Sequence, residues 1–159
     1  MKALNNENVG RNIMRILNES VNFNKLPKPT NNTNFEGFNT SKVADGYSNY
    51  QEFLDNPEVA KEKGFTDVYV TEMTPQEYMD LCRLYVATNT EDDLDKLTDM
   101  NSEYKNFAKT CHEYAEKMKS GENFPLLILD THWKEQDGRH RAGAAYINGY
   151  DKVPVLLCY

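Results

Sequence analysis

Asp137, Gly138, Arg139, His140 and Arg141 stand side by side near the end of a chain of 159 residues whose formal net charge is −7. A carboxylate, a glycine and three basic side chains in that order suit the seating of an anion. Arginine offers a planar fork to phosphate oxygens, and histidine donates from either ring nitrogen according to its protonation. Glycine lets a ligand come close to the backbone. A helix opening here would add unpaired amides and the positive end of its macrodipole. Cations at such an end oppose the dipole unless an anion shares it. Neighbouring helical residues diverge by about 100°, so Gly138, His140 and one arginine are expected to face the ligand, not the whole triplet. Asp137 suits two roles, an N-cap and a catalytic carboxylate. Asp130 and His132 end the preceding strand, and a hairpin would bring them near the motif.

The elements that must position these groups are legible from about Phe65 onward. "DVYVTEM" is a run of β-favouring residues. It leads into "TPQEYMDLCRLYVA", where Thr74, Pro75 and Glu77 supply a cap, a first-turn proline and a capping-box partner. In "SEYKNFAKTCHEYAEKMKSG", Tyr104, Phe107, Ala108, Cys111, Ala115 and Met118 trace an amphipathic stripe, and Gly121 follows as a C-terminal stop. "FPLLILD" predicts one buried strand, "THWKEQ" a turn and short strand, "GRHRAGAAYING" a helix, and "KVPVLLCY" a last strand. Pro154 predicts an edge strand or a position near a strand start.

Upstream, residues 1–64 predict a polar, partly irregular N-terminal extension, and residues 65–159 the main domain. Ile13, Ile16 and Leu17 fall at helical spacing. "NKLPKPTNNTNFEGFNTSKVADG" is loop chemistry. Phe35, Phe38, Tyr47, Tyr50 and Phe53 recur through this third, too many aromatics for a wholly disordered arm, so it is expected to wrap partly on the core.

Composition limits the partners. The acidic balance lacks the basic surface that non-specific DNA binding needs, so broad nucleic-acid binding is disfavoured. No stretch has the length of a membrane span, and "MKALNNENVGRNIMRIL" lacks the features of a signal peptide, so the chain is expected to be cytoplasmic. Cys82, Cys111 and Cys158 have no paired metal-ligand spacing and are expected to be buried thiols; no metal site is assigned to them. The acidic connector around "EDDLDKLTD" lacks the glycine and terminal glutamate of a calcium loop. Trp133 suits half-buried packing better than stacking on a base.

"DGRHRAGAAYINGYDKVPVLL" resembles the phosphate-binding motif and following strand of the ParB/sulfiredoxin-like fold. Members carry Gly-x-[His/Arg]-Arg at a helix start, then small residues, a glycine and a strand near Val-Pro-Val. With the "MTPQEY" helix upstream, the chain is similar to small ParB-like proteins of phages and mobile elements. The resemblance covers Phe124 to Leu157, and more loosely Asp67 onward. It implies an α+β fold, a small mixed sheet flanked by helices. Sulfiredoxins need a cysteine where this chain has Arg139, which argues against cysteine-sulfinic acid reduction. The Gly-Glu-Arg-Arg of CTP-binding ParB proteins matches Gly138–Arg141 only in outline, and no helix-turn-helix domain is read in the chain. Asp-Gly-His-His-Arg of the ADP-dependent free serine kinases is the nearest spelling. By that similarity Gly138, His140 and Arg141 would contact phosphate, with Asp137 beside the transferred group. Glu72 and Glu77 are candidates for those kinases' upstream base.

The resulting expectation is a nucleotide- or phosphate-binding protein, with phosphotransfer or nucleotide hydrolysis as the chemistry to test. Gly138, Arg139, His140 and Arg141 would cradle a nucleoside di- or triphosphate. Asp137 would act as base or, with Asp130, help hold Mg²⁺, because phosphoryl transfer needs charge neutralisation. The alternative is a non-enzymatic interaction protein whose acidic surface meets a host protein or imitates nucleic acid. A nuclease ranks third, since no basic track is visible.

Overall fold

The computed structural model describes residues 27–89 and 100–159. The helical spacing of Ile13, Ile16 and Leu17, and most of the acidic connector, lie outside the described residues.

The chain folds as an α+β protein with two small sheets. The larger has four strands in the order β2-β6-β4-β5: β2 (Val68–Met73), β4 (Leu127–Asp130), β5 (Glu135–Asp137) and β6 (Val153–Cys158). β6 runs antiparallel to β2 and parallel to β4, while β4 and β5 form an antiparallel hairpin. All six residues of β6 are buried, the pattern of a strand covered on both faces. A two-stranded parallel sheet joins β1 (Phe38–Asn39) to β3 (Phe124–Pro125). "FPLLILD" is therefore two strands in different sheets, separated at Leu126, whose amide donates to the Lys42 carbonyl at 3.0 Å. Pro125, with no amide donor, stands where the first strand stops.

Strand alternation assigns each face its own core. Leu127, Leu129, Val155 and Leu157 pack with Tyr78, Leu81, Ala115, Met118 and the alanines of the last helix. This layer holds α3 (Pro75–Asn89), α4 (Met100–Lys119) and α5 (Arg139–Ile147). Leu126, Ile128, Leu156 and Cys158 meet Tyr50, Phe53, Ala60 and Phe65 on the other face. That second layer is α1 (Ser48–Asp55) and α2 (Pro57–Glu62), two helices that lie within the extension read from sequence. Phe35 and Phe38 join the first core as well. The N-terminal third thus supplies apolar side chains to both faces of the sheet.

The outer edge of β2 is covered by the chain entering at Pro27. Thr30 donates its amide to the Val70 carbonyl at 2.9 Å, Thr71 Oγ1 donates to Lys28 at 2.8 Å, and the Tyr69 hydroxyl donates to Pro27. Such cover blunts an edge that would otherwise pair with other chains. Pro154 is the second residue of β6, ahead of Val155 where pairing with β4 begins, so its missing amide falls near a strand start. No helix among the described residues is long and apolar enough to cross a membrane.

Candidate functional site

The basic motif sits where β5 turns into α5. Gly138 is the N-cap residue with φ 130°, a conformation that L side chains rarely adopt. A Cβ there would also lie 2.7 Å from Leu127 Cγ, so glycine is required for space as well as for backbone angle. The helix starts with no side-chain cap, and its first backbone bond runs from Ala142 to the Gly138 carbonyl at 2.8 Å. The amides of Arg139, His140 and Arg141 precede that ladder.

The three basic side chains separate, as adjacent helical positions must. Arg141 is only 8% exposed. Its Nη2 donates to the Leu126 carbonyl at 3.2 Å, the Asp137 carbonyl at 3.3 Å and Asp137 Oδ2 at 3.0 Å. Its Nε is buried without a hydrogen-bond partner. His140 is half-buried against α4, its ring 4.9 Å from Phe107 and 6.3 Å from Tyr114. Burial lowers its pKa, and the positive charges of Arg139 and Arg141 lower it further, with Asp137 opposing. The neutral imidazole, a donor on one nitrogen and an acceptor on the other, is thereby favoured. Arg139 is exposed. Of the triplet it is the member whose charge reaches solvent.

Asp130 and His132 occupy the far end of the β4–β5 hairpin. Asp137 pairs with Ile128 and Glu135 with Asp130, so the side chains of Asp130, Glu135 and Asp137 share one face. Asp130 and Asp137 are diagonal neighbours across the β4–β5 hairpin. Asp130 is fully buried. It accepts the Tyr50 hydroxyl at 2.6 Å on Oδ2 and the amides of His132 and Trp133 at 2.7 and 2.9 Å on Oδ1. Burial raises its pKa against the opposing pull of those donors. These bonds make Asp130 the organiser of the turn. His132 is exposed and lays its ring 4.6 Å from Phe65. The structure therefore gathers Asp137, Gly138, Arg139, His140 and Arg141 at one end of β5, and Asp130 with His132 at the other. Among the described residues no group of three His, Cys, Asp or Glu side chains is arranged to hold a metal ion.

Three tyrosines join this region without any motif to announce them. Tyr78 of α3 is fully buried and sets its hydroxyl 2.7 Å from both the Ile128 and Asp137 carbonyls, tying α3 to the end of β5. Tyr50 of α1 holds Asp130. Tyr47, the N-cap residue of α1, has its phenol pKa raised by burial first, then by the charges of Asp137 and Glu135, with Arg141 opposing. The recurrence of aromatics in the N-terminal third was the available signal; their partners lie some 80 residues away along the chain. Glu72 is exposed on β2, at the edge of the sheet opposite β5. Glu77 is exposed in the first turn of α3, its amide donating to Thr74 Oγ1 at 3.1 Å. Cys82, Cys111 and Cys158 are buried free thiols; burial pushes Cys82 up to about 12 and Cys111 up to about 11.

No family model matches the chain, and searches of curated proteins and of solved structures return no match.

Proposed function

We propose that the β5–α5 junction binds the phosphate of a nucleotide or another phosphate-bearing small molecule, within a fold of ParB/sulfiredoxin type. The observation that carries this reading is the helix start itself. α5 opens at Gly138 with no side-chain cap, flanked by exposed Arg139, a histidine biased to its neutral form and a buried guanidinium. An acidic chain that concentrates cations on the positive end of a helix gains most from an anion there.

The roles divide by position. The amides of residues 139–141 and the Arg139 guanidinium receive phosphate oxygens, and His140 donates from the one N–H of its neutral ring. Arg141 contributes its charge from below while its Nη2 holds Asp137. Asp137, whose side chain is 23% exposed, is the carboxylate at hand for a proton transfer or for a Mg²⁺ carried in with a nucleoside di- or triphosphate.

A thermal-shift panel of ATP, ADP, CTP and GTP, with and without Mg²⁺, tests the proposal. Ligand at 100 times its dissociation constant adds about 2.7 kcal/mol of stability. Arg139→Ala should diminish the shift. A melting temperature that no nucleotide or inorganic phosphate moves would sink it.

A further inference from the structure

We propose that Asp45–Gly46 is a site of spontaneous backbone isomerisation, at which the folded chain converts Asp45 to isoaspartate and loosens the start of α1. The site is separate from the β5–α5 junction and needs no ligand there.

The chemistry is open to any aspartate or asparagine followed by glycine. The glycine amide nitrogen attacks the side-chain carbonyl carbon Cγ. Water leaves from an aspartic acid, or ammonia from an asparagine, and a succinimide ring closes. Water then reopens the ring. Breaking the Cγ–N bond gives aspartate. Breaking the bond from nitrogen to the main-chain carbonyl carbon gives isoaspartate, whose backbone runs through Cβ and Cγ and whose α-carboxylate is free. For aspartate one water leaves and one returns, so mass and charge are unchanged. Glycine favours closure because no Cβ hinders its nitrogen.

The chain has three such pairs, Asp45–Gly46, Asp137–Gly138 and Asn148–Gly149. The fold restrains two of them. Arg141 Nη2 holds Asp137 Oδ2 at 3.0 Å, and the Tyr78 hydroxyl holds the Asp137 carbonyl at 2.7 Å. Leu127 crowds Gly138 so closely that a Cβ there would lie 2.7 Å away. Asn148 Nδ2 donates to the Ala115 carbonyl at 3.0 Å, and the Gly149 amide, the nucleophile, donates to Tyr146 at 3.0 Å. Asp45 and Gly46 are both exposed, and among the described residues the Asp45 side chain makes no hydrogen bond or ion pair. They are the central residues of a turn closed by the Tyr47 amide on the Ala44 carbonyl at 3.2 Å. Gly46 has φ 91°, the sign a type II turn needs at its third residue. A Cβ on Gly46 would meet nothing within 4 Å, so the peptide unit has room to swing toward the carboxyl group.

The added carbon falls between two anchors. Upstream, Gln51 of α1 accepts the Val43 amide and donates to the Ser41 carbonyl, each at 3.0 Å. Downstream, Tyr47 is the N-cap residue of α1, and its carbonyl accepts the amides of Tyr50 and Gln51 at 3.0 and 3.2 Å. A longer backbone between them breaks the Ala44–Tyr47 bond and disturbs the first turn of the helix that carries Tyr50 to Asp130.

The full chain would be aged at neutral pH, folded and in urea, and mapped by mass spectrometry with electron-transfer fragmentation, which distinguishes isoaspartate from aspartate. In the fold, isoaspartate at 45 should exceed both isoaspartate at 137 and deamidation at 148 by more than about tenfold, because each 1.4 kcal/mol or so of local opening is a factor of ten. In urea Asn148 should react first and the two aspartates alike. Asp45→Glu lengthens the ring to be closed and should abolish the isomer while keeping the exposed carboxylate. Hydrogen exchange at Tyr50 and Gln51 should be faster in the aged protein than in aged Asp45→Glu. Equal conversion of Asp45 and Asp137 in the folded chain, an unconverted Asp45, or the same order of sites in urea overturns the assignment. Isoaspartate at 45 with unchanged exchange overturns the loosening of α1.

Discussion

Arg141 Nη2 stands 3.0 Å from Asp137 Oδ2, and the same nitrogen reaches the carbonyls of Asp137 and Leu126. Leu126 in turn donates its amide to Lys42. One guanidinium therefore links the loop before α1, the entry to β4 and the first turn of α5. The arginine that a phosphate-binding motif would first assign to the ligand is turned inward. Arg139 and the helix amides are left to face outward.

Arg141→Ala and Arg139→Ala should consequently behave as different kinds of variant. Removing Arg141 leaves a partly buried carboxylate and the Leu126 carbonyl without this donor, while the Asp137 carbonyl keeps the Tyr78 hydroxyl, at a cost of about 3 kcal/mol, the lower end for a broken buried pair. Arg139→Ala should change stability by less than about 0.5 kcal/mol, as exposed substitutions do, while weakening phosphate binding. Urea unfolding with a phosphate titration separates the two. Equal stability of the two variants would remove the structural role assigned to Arg141.

Two glycines predict opposite kinds of rescue. Gly138→Ala combines an unfavourable φ with a clash on Leu127 and should cost about 1–3 kcal/mol. No smaller neighbour repairs the backbone angle. Gly143→Ala instead puts a Cβ 2.4 Å from Cys111 Sγ, where α5 crosses α4. Overpacking of that kind costs about 1–3 kcal/mol, and Cys111→Ala should recover part of it. A double-mutant cycle by chemical denaturation measures the coupling; strict additivity would show that the helices do not meet there.

How far the sequence announced this arrangement differs along the chain. α3, α5, β2 and β6 were legible because capping residues, glycine stops and β-branched runs are local signals. The division of "FPLLILD" between two sheets was not. Leu126 and Leu127 look alike in sequence and differ only in which core they enter. α1 and α2 were missed since they are 8 and 6 residues long, too short for a periodic stripe, and stand on Tyr50, Phe53 and Ala60. The motif was visible as basic side chains gathered at a helix start, and α5 does open there, after Gly138, over Arg139–Ile147. That Arg141 faces inward depends on Leu126 and Asp137 being brought together, which no spacing within the motif conveys.

The Tyr50–Asp130 bond should appear in the pH dependence of stability. Burial raises the Asp130 pKa above its ordinary 3.8, so the folded state holds this proton more tightly than the unfolded chain does. Stability from this group is present at low pH and falls as pH rises from the unfolded value through the raised folded one. Asp130→Asn should flatten that fall. Tyr50→Phe should cost about 1.5–3 kcal/mol above the window, the range for a hydrogen bond to a charged acceptor, and less below it. Unfolding free energies between pH 3 and 7 for the three proteins decide the matter. An unchanged slope in Asp130→Asn would refute the assignment.

His140 gives the converse sign and reads the proposed anion seat directly. Its folded pKa lies below the ordinary 6.5 through burial and the charges of Arg139 and Arg141. The unfolded chain therefore binds the extra proton more readily, and stability present above 6.5 is lost as pH falls toward the folded value. A phosphate seated at α5 adds negative charge beside the ring and should raise that pKa, so binding takes up a proton and affinity strengthens as the pH drops toward it. Ring resonances of the three histidines, followed by NMR with and without phosphate and assigned with His140→Gln, give both quantities. A His140 that titrates at its ordinary value and ignores phosphate would place the anion elsewhere.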